Sequence, residues 1–509
     1  MKIAVIGAGI GGLTAAALLA RRGYEVVVFD RALVPGGCAS TFKRRGFTFD
    51  VGATQVAGLE PGGIHYRIFR ELDIELPPAT PCDPACAVFL PGETEPISVW
   101  RDPQKWREER ERQFPGSDRF WNLMSALFDA SWRFQGRDPV LPPGNFWDLW
   151  QLIKAVRPDT LITLPFALTT VGDALRLCGL GDNQRLKTFL DLQLKLYSQV
   201  DADETALLYA ATALGVSQEP QGLYHLQGSM QVLSDRLVSA LERDGGKLLM
   251  RHTVEAIATD STGSNGKTTG VKVRNQKTDE VWLEPADAVV ANVTVQNLIK
   301  LVGEENWQKS LLGRGYKYRV DKLESPSGAF VVYLGVDQKA IPTNCPPHLQ
   351  FFYDYGGPIG ENNSLFVSVS HPGDGRAPEG KATITASSFT DTERWYGCND
   401  YEELKREFTE GAIARLGEYF DLSSERILHV EAATPRTFEK FTARERGIVG
   451  GVGQRIPTFG PFGIANRTPI KDLWLVGDST HPGEGTAGVS YSALTVVRQV
   501  CSNRFSDLA

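Results

Sequence analysis

The first thirty residues leave this chain few choices. KIAVI (Lys2–Ile6) is an unbroken apolar run of strand length and is followed by GAGIGG. LTAAALLARR (Leu13–Arg22) has helical composition and stops at Gly23, and EVVVFD (Glu25–Asp30) is a second apolar run closed by an acid. Runs that are apolar at every position suit strands covered on both faces, as in a parallel sheet flanked by helices. Gly7, Gly9 and Gly12 fit G-x-G-x-x-G. The first glycine permits the tight turn, the second lets backbone approach a pyrophosphate, and the third lets helix and strand pack closely. The free N–H groups and positive dipole end of the helix then face the phosphates. Asp30, eighteen residues past Gly12, stands where a ribose hydroxyl is bound. The unit predicts an α/β chain with a Rossmann-type, three-layer dinucleotide-binding domain on a parallel sheet, and by itself it leaves NAD and FAD both open.

Composition narrows the class of protein. At 509 residues, 42% hydrophobic and 23% charged, the chain can bury a large core and has the length of about three domains. A net charge of −7 with no long basic block argues against a nucleic-acid partner. Its seven cysteines are odd in number and unpatterned, which reads as free thiols in a reducing compartment. Cys82 and Cys86 have no second Cys/His pair to complete a metal site, so no metal is expected. The chain opens directly on a strand, and no run approaches the ~20 apolar residues of a membrane span. The expectation is a protein on the cytoplasmic side of a membrane, without signal peptide or transmembrane span.

Further glycine-rich segments complete the pattern. Asp30-Arg31 leads into Pro35-Gly36-Gly37, then FTFDVGAT (Phe47–Thr54). Gly228–Leu233 opens a helix and is followed by a strand (KLLMRHTVEAIATD), a strand pair (GVKVRNQKTDEVWLE) and a buried strand, ADAVVAN (Ala286–Asn292). Near the end, LWLV (Leu473–Val476) runs into GDSTHPGEGTAGVSYSAL, a second strand-to-helix glycine turn that offers free N–H groups to an electron-rich group. Gly450-Gly451-Val452-Gly453 lacks a surrounding βαβ unit, so no separate nicotinamide domain is expected.

These segments together resemble the flavin monooxygenase/amine oxidase superfamily, and the resemblance implies FAD. It places Arg31, Gly36 and Gly37 along the cofactor, the backbone at Val254 against the adenine, and Gly477-Asp478 at the ribityl or pyrophosphate region. It also aims the helix opening around Gly485, Gly488 and Val489 at the flavin N1/C2=O edge. A helix N-terminus stabilises the negative charge of reduced flavin by up to ~2 kcal/mol in a partly buried setting. The FAD domain is expected to be discontinuous, built from residues 1–80, 228–301 and 450–509. Residues 81–227 then form a helical, aromatic-rich, membrane-facing part of a mixed α+β substrate domain. Residues 302–449, with strand-like runs such as GAFVVYLGV and KATITASSF, supply a sheet roofing the flavin.

Six of the ten tryptophans fall between Trp100 and Trp150. FWDLWQLIKAVR (Phe146–Arg157) admits two readings: an interfacial helix with tryptophans at headgroup depth and Lys154 and Arg157 toward anionic lipid, or a core helix of the cap.

More narrowly, VIGAGIGGLTAAALLARRGYEVVVFD, FTFDVGAT, QGSMQVLSDRLVSALERDGG and LWLVGDSTHPGEGTAGVSYSAL resemble the carotenoid desaturase/isomerase (phytoene desaturase) family over essentially the whole chain. DVGATQVAGLEPGGIH and DLQLKLYSQVDADETALLYAATAL resemble its cyanobacterial branch that introduces a C-3′,4′ double bond into an acyclic carotenoid end, as in myxoxanthophyll biosynthesis. The resemblance implies a carotenoid substrate, hydride transfer to flavin N5, proton loss to a weak base, and reoxidation by a quinone or oxygen. The turn VGDSTHPG is closer to the isomerase branch, so redox-neutral cis–trans isomerisation with reduced FAD stays open. A third reading is a non-catalytic binding protein of the GDP dissociation inhibitor type, which uses the fold without FAD, and the acids Asp30 and Asp478 speak against it. Glu484 and His481, at the flavin-facing turn, are the candidates for assisting proton loss. Their structural readings are a carboxylate complementing the helix dipole and an imidazole bonded to nearby backbone. Cys38, after PGG, reads as a small space-filling thiol near the flavin.

Overall fold

The two apolar runs at the N-terminus form strands over the expected residues, β1 (Lys2–Ile6) and β2 (Glu25–Asp30), hydrogen-bonded in parallel with Ile6 opposite Phe29. The helix between them, α1 (Ile10–Arg21), begins earlier than Leu13, inside the glycine motif. Gly11 and Gly12 therefore lie in its first turn, which is pressed onto the strand end. An added Cβ at Gly12 would lie 2.0 Å from the Gly7 carbonyl oxygen. The computed structural model describes residues 1–260 and 266–506.

Three later segments complete this sheet: β3 (Lys247–Met250), β4 (Ala288–Ala291) and β5 (Leu473–Leu475), in the order β3-β2-β1-β4-β5 with every neighbour parallel. Ala288–Ala291 is buried at all four positions, as expected of a strand covered on both faces. One face packs against α1, the helix Gln231–Arg243 and the closing helix Thr486–Ser506. The other packs against a three-stranded antiparallel layer and the helix Val295–Val302. The stretch from residue 247 to 260 is two strands rather than one. Arg251 takes a left-handed conformation (φ 62°) that breaks the run, and His252–Thr259 leaves the parallel sheet for the antiparallel layer.

A second, seven-stranded sheet roofs the molecule, ordered Ile427–Ala433, Gly328–Asp337, Lys381–Thr390, Ser364–Val369, His348–Phe352, Cys86–Phe89, Ile97–Val99. Its last two strands come from the region expected to be helical. CAVF is too short to announce itself, and it becomes a strand by pairing in parallel with the distant His348–Phe352. The rest of that region is helical, and much of its aromatic content is core: Trp106, Phe114, Phe120 and Trp121 are buried together with Phe189. The helix Phe146–Ala155 differs, because Phe146, Leu149, Trp150 and Ile153 are exposed.

A buried ionic clasp ties a loop of the second sheet to the hairpin ending at Asp50 and to the entry of the helix that covers the first. Arg376 donates Nε and Nη2 to Asp50 Oδ2 (3.1 and 2.9 Å) and Nη1 to the Leu226 carbonyl (2.7 Å) and Asp374 Oδ2 (3.1 Å). Asp50 Oδ1 in turn accepts the Met230 N–H (2.8 Å), at the entry to helix Gln231–Arg243. Removing one member of such a buried set strands the charges left behind. Arg376→Met is therefore expected to cost about 3–5 kcal/mol, read as a lowered first transition in thermal melts. A second expectation concerns pH. Burial pulls the His65 and His481 imidazoles down from 6.5 to about 4 and pushes His348 well below 6.5. The folded protein holds them neutral, so below ~6.5 the unfolded chain takes up protons that the folded state refuses. Their contribution to stability is complete above ~6.5 and is lost as pH falls toward ~4. Melting temperatures should drop steadily over that window and be flat just above it.

Candidate active site

Three strand-to-turn junctions meet at the carboxyl edge of the parallel sheet, where open α/β sheets bind ligands. Gly7 N–H donates to the Phe29 carbonyl and Gly36 N–H to the Ala8 carbonyl, both at 2.8 Å, so the first two turns lie against each other. Asn292, just past β4, sits between the turn after β1 and the turn after β5. A Cβ at Gly7 would lie 2.6 Å from its carbonyl oxygen, one at Gly9 2.8 Å from its Nδ2, and one at Gly477 3.0 Å from its Oδ1. The glycines are glycines because this junction has no room for side chains. Asn292 ends the ADAVVAN strand, and only the converging turns reveal its place.

A cavity of about 680 Å³ runs from this junction into the second sheet and the helical region. Gly7, Gly9, Asp30, Arg31, Gly36, Gly37, Cys38 and Val254 line it toward β2, and Asp478, Glu484, Gly485, Gly488 and Val489 line it at the closing helix. Trp132, Tyr197, Tyr209, Val216 and Phe389 line it beyond. Gly12 and Gly477 are not on the wall and act through packing beneath it.

The acids differ from their expected roles in detail. Asp30 is bonded by its own turn, accepting the Ala8 N–H (2.6 Å) and the Ala32 N–H (2.7 Å), and burial raises its pKa in spite of them. Asp478 is paired with Arg444, whose other nitrogen donates to the Gly450 carbonyl (2.7 Å). Arg444 also faces the cavity, beside Cys38, whose thiol burial pushes up. His481 is not at the wall: it is buried behind the turn, Nε2 accepting from the Gln135 amide (2.9 Å), which leaves it a packing role.

Glu484 does face the cavity. Gln199 Nε2 donates to its two oxygens at 3.1 and 3.4 Å, and burial, with the Asp478 charge next, pushes its pKa up to about 8. Gly450 makes room for the pair, since a Cβ there would lie 2.2 Å from Glu484 Oε2 and 2.3 Å from Gln199 Nε2. The Gly450–Gly453 run therefore floors the carboxylate. Nothing local in the sequence connects Gln199 or Arg444 to this site.

The geometry fits a bound FAD. The glycine cradle is bare, α1 starts on Gly9 without a side-chain cap, so its N–H groups are free, and the closing helix begins at the cavity wall. Residues 10–501 match the family described as flavin containing amine oxidoreductase. The chain belongs to this family. It is an FAD-dependent oxidoreductase, which sets aside the cofactor-free binding protein. This flavoenzyme is 28% identical to prolycopene isomerase 2, chloroplastic, of an Oncidium hybrid cultivar, covering 98% of the chain and 83% of that protein. It is 26% identical to the zeta-carotene-forming phytoene desaturase of Myxococcus xanthus, covering 98% and 93%. It shares the fold of cyclohexylamine oxidase from Brevibacterium oxydans IH-35A, with a TM-score of 0.62 at 16% identity over 98% and 99% of the two chains. Among the described residues no helix is long and apolar enough to cross a membrane, and no group of metal-ligating side chains is present.

The cradle can be tested without turnover. Gly12→Ala drives a methyl into the Gly7 carbonyl and should lower the flavin absorbance of purified protein by about tenfold. Gly315→Ala, at a glycine with nothing within 4 Å of an added Cβ, should leave it unchanged.

Proposed function

We propose that this flavoenzyme is a carotenoid desaturase, introducing a C-3′,4′ double bond into the acyclic end of a carotenoid. The observation that carries the reading is a largely apolar cavity, continuous with the FAD cradle, in which Glu484 is a weak base held beside the cofactor wall. Bound FAD supplies the acceptor for two electrons and one hydrogen, and a quinone or oxygen is the class of oxidant that restores it. The walls formed by Leu196, Tyr197, Tyr209, Val216 and Phe389 hold a rod-like polyene in place and exclude water. Glu484 accepts the second hydrogen as a proton at a carboxylate oxygen, and the Gln199 amide steadies the ionised form. Conjugation delocalises positive charge along the substrate, so little further acid–base machinery is required.

One specific observation favours a second reading. The relative named prolycopene isomerase matches at 28% identity, and the turn VGDSTHPG leans the same way, so the same site can serve redox-neutral cis–trans isomerisation of a carotenoid. A polyene substrate resides in a bilayer. We read the exposed helix Phe146–Ala155, with Lys154 above the Trp150 ring, as the segment through which the enzyme lies on a membrane peripherally.

The deciding experiment incubates the holoenzyme with a quinone and a liposomal carotene bearing an acyclic end. Desaturation gives a red-shifted product two hydrogens lighter, whereas unchanged mass with altered retention establishes the isomerase. The base assignment has its own signature. Only the ionised carboxylate accepts a proton, so desaturation should rise with pH through about 8, the pKa of Glu484. Glu484→Gln should lose this limb and about 10²–10⁴-fold in kcat, with flavin content retained.

A further inference from the structure

Six large apolar side chains stand out as the most exposed among the described residues, each at least 64% accessible: Phe146, Leu164, Leu168, Leu311, Leu312 and Tyr318. They fall in only two segments. The first runs from the helix Phe146–Ala155 through the turn helix Pro158–Phe166 to Leu168. The second is the helix Leu311–Asp321, which lies more than a hundred residues away and is outside the aromatic-rich region.

The fold joins the two. Leu207 N–H donates to the Thr169 carbonyl (2.9 Å), next to Leu168, and Thr205 bridges to Arg455. Two residues on, the Pro457 carbonyl accepts Arg319 Nη2 (3.4 Å), and the same nitrogen donates to the carbonyl of Phe462, itself an exposed aromatic. A run of hydrogen bonds, backbone to backbone at first and closed by the Arg319 side chain, thus links one apolar segment to the other. Its middle is the substrate side of the cavity wall, where Phe459 packs edge-on to Tyr209 with ring centroids 5.6 Å apart.

Charge says what covers these faces. Leu311, Gly315, Tyr318 and Lys322 recur at helical spacing and share a face, with Lys322 above the Tyr318 ring. Nearby acids are taken up internally, Asp321 by Lys317 (2.7 Å) and Asp159 by Arg137. Lys154, Arg157, Arg314 and Lys322 are left without a carboxylate partner among the described residues. Apolar side chains with an aromatic girdle and snorkelling cations match the boundary between acyl chains and anionic headgroups.

We propose that the helix Leu311–Asp321 is a second docking face for a bilayer containing anionic phospholipid, and that with the 146–168 segment it seats the cavity wall around Phe459 and Tyr209 against the membrane. The proposal rests on the peripheral-membrane reading given above and adds a contact and a lipid preference to it. Two separated contacts fix tilt as well as attachment, so the polyene has one direction of entry.

The test is flotation of FAD-loaded protein with phosphatidylcholine vesicles, with and without about a quarter phosphatidylglycerol. Wild type should float with the anionic vesicles, and salt should weaken this. Leu311→Ser/Leu312→Ser/Tyr318→Ser should lower the vesicle partition coefficient by about tenfold, with flavin absorbance and melting temperature unchanged. Arg314→Gln/Lys322→Gln should weaken the preference for phosphatidylglycerol, Lys154 and Arg157 supplying what is left, while binding to neutral vesicles stays in place. If the triple variant floats like wild type while Phe146→Ser/Leu164→Ser/Leu168→Ser does not, the second contact is overturned and the peripheral reading stands. If wild type itself fails to float, both fall. If light scattering finds a dimer that the triple variant dissociates, the face belongs to a second copy of the chain, and the proposal is overturned.

Discussion

Everything in this molecule depends on how closely three backbone turns approach one another at the edge of the parallel sheet. The turns after β1 and β5 crowd around Asn292 and the turn after β2 lies against the first, and substituting a side chain for several of these glycines would bring atoms to 3 Å or closer. That crowding keeps the N–H groups of α1 uncapped and directs them into the cavity. Close packing here determines where a large anionic cofactor can rest. The rest of the chain is arranged to bring a second sheet over it.

The second sheet is attached through charge as well as through apolar contact. Arg376, Asp50 and Asp374 are all nearly inaccessible, and each finds a partner. Such a set contributes little net stability relative to a greasy replacement, but it penalises any other docking of the two sheets. The cavity lies between them, so a unique docking fixes its shape. Where the closing helix meets the cavity, two polar pairs stand on its wall: Arg444 with Asp478, and Gln199 with Glu484. The first pair neutralises itself. The second leaves a carboxylate whose proton affinity is set by burial, the property a weak base in an apolar chamber requires.

What the sequence made legible follows the range of the interactions responsible. β1 and β2 fall on the expected residues because two-sided burial imprints a continuous apolar run. The glycine turns were readable because backbone strain and crowding allow only one residue type. Glu484 was readable through its motif, though its raised proton affinity was not. The break at Arg251 was hidden, since arginine carries no signal for a left-handed conformation. The strand Cys86–Phe89 exists through pairing with residues more than 250 positions away, and Ile97–Val99 only adds an edge to it. Arg444, Gln199 and Asn292 reach the site by topology alone. The tryptophans show the limit of composition: Trp106 and Trp121 hold a core together while Trp150 faces outward.

The strand order has a consequence for the life of the chain. β1 lies at the centre of its sheet, but one neighbour is not made until residue 288 and the closing strand not until residue 473. A nascent chain therefore carries its founding glycine turn through most of synthesis with one flank bare and an unfinished greasy chamber beside it. The cavity is walled by the first turn and by the closing helix together, so the cradle is complete only when both ends of this fold have come together.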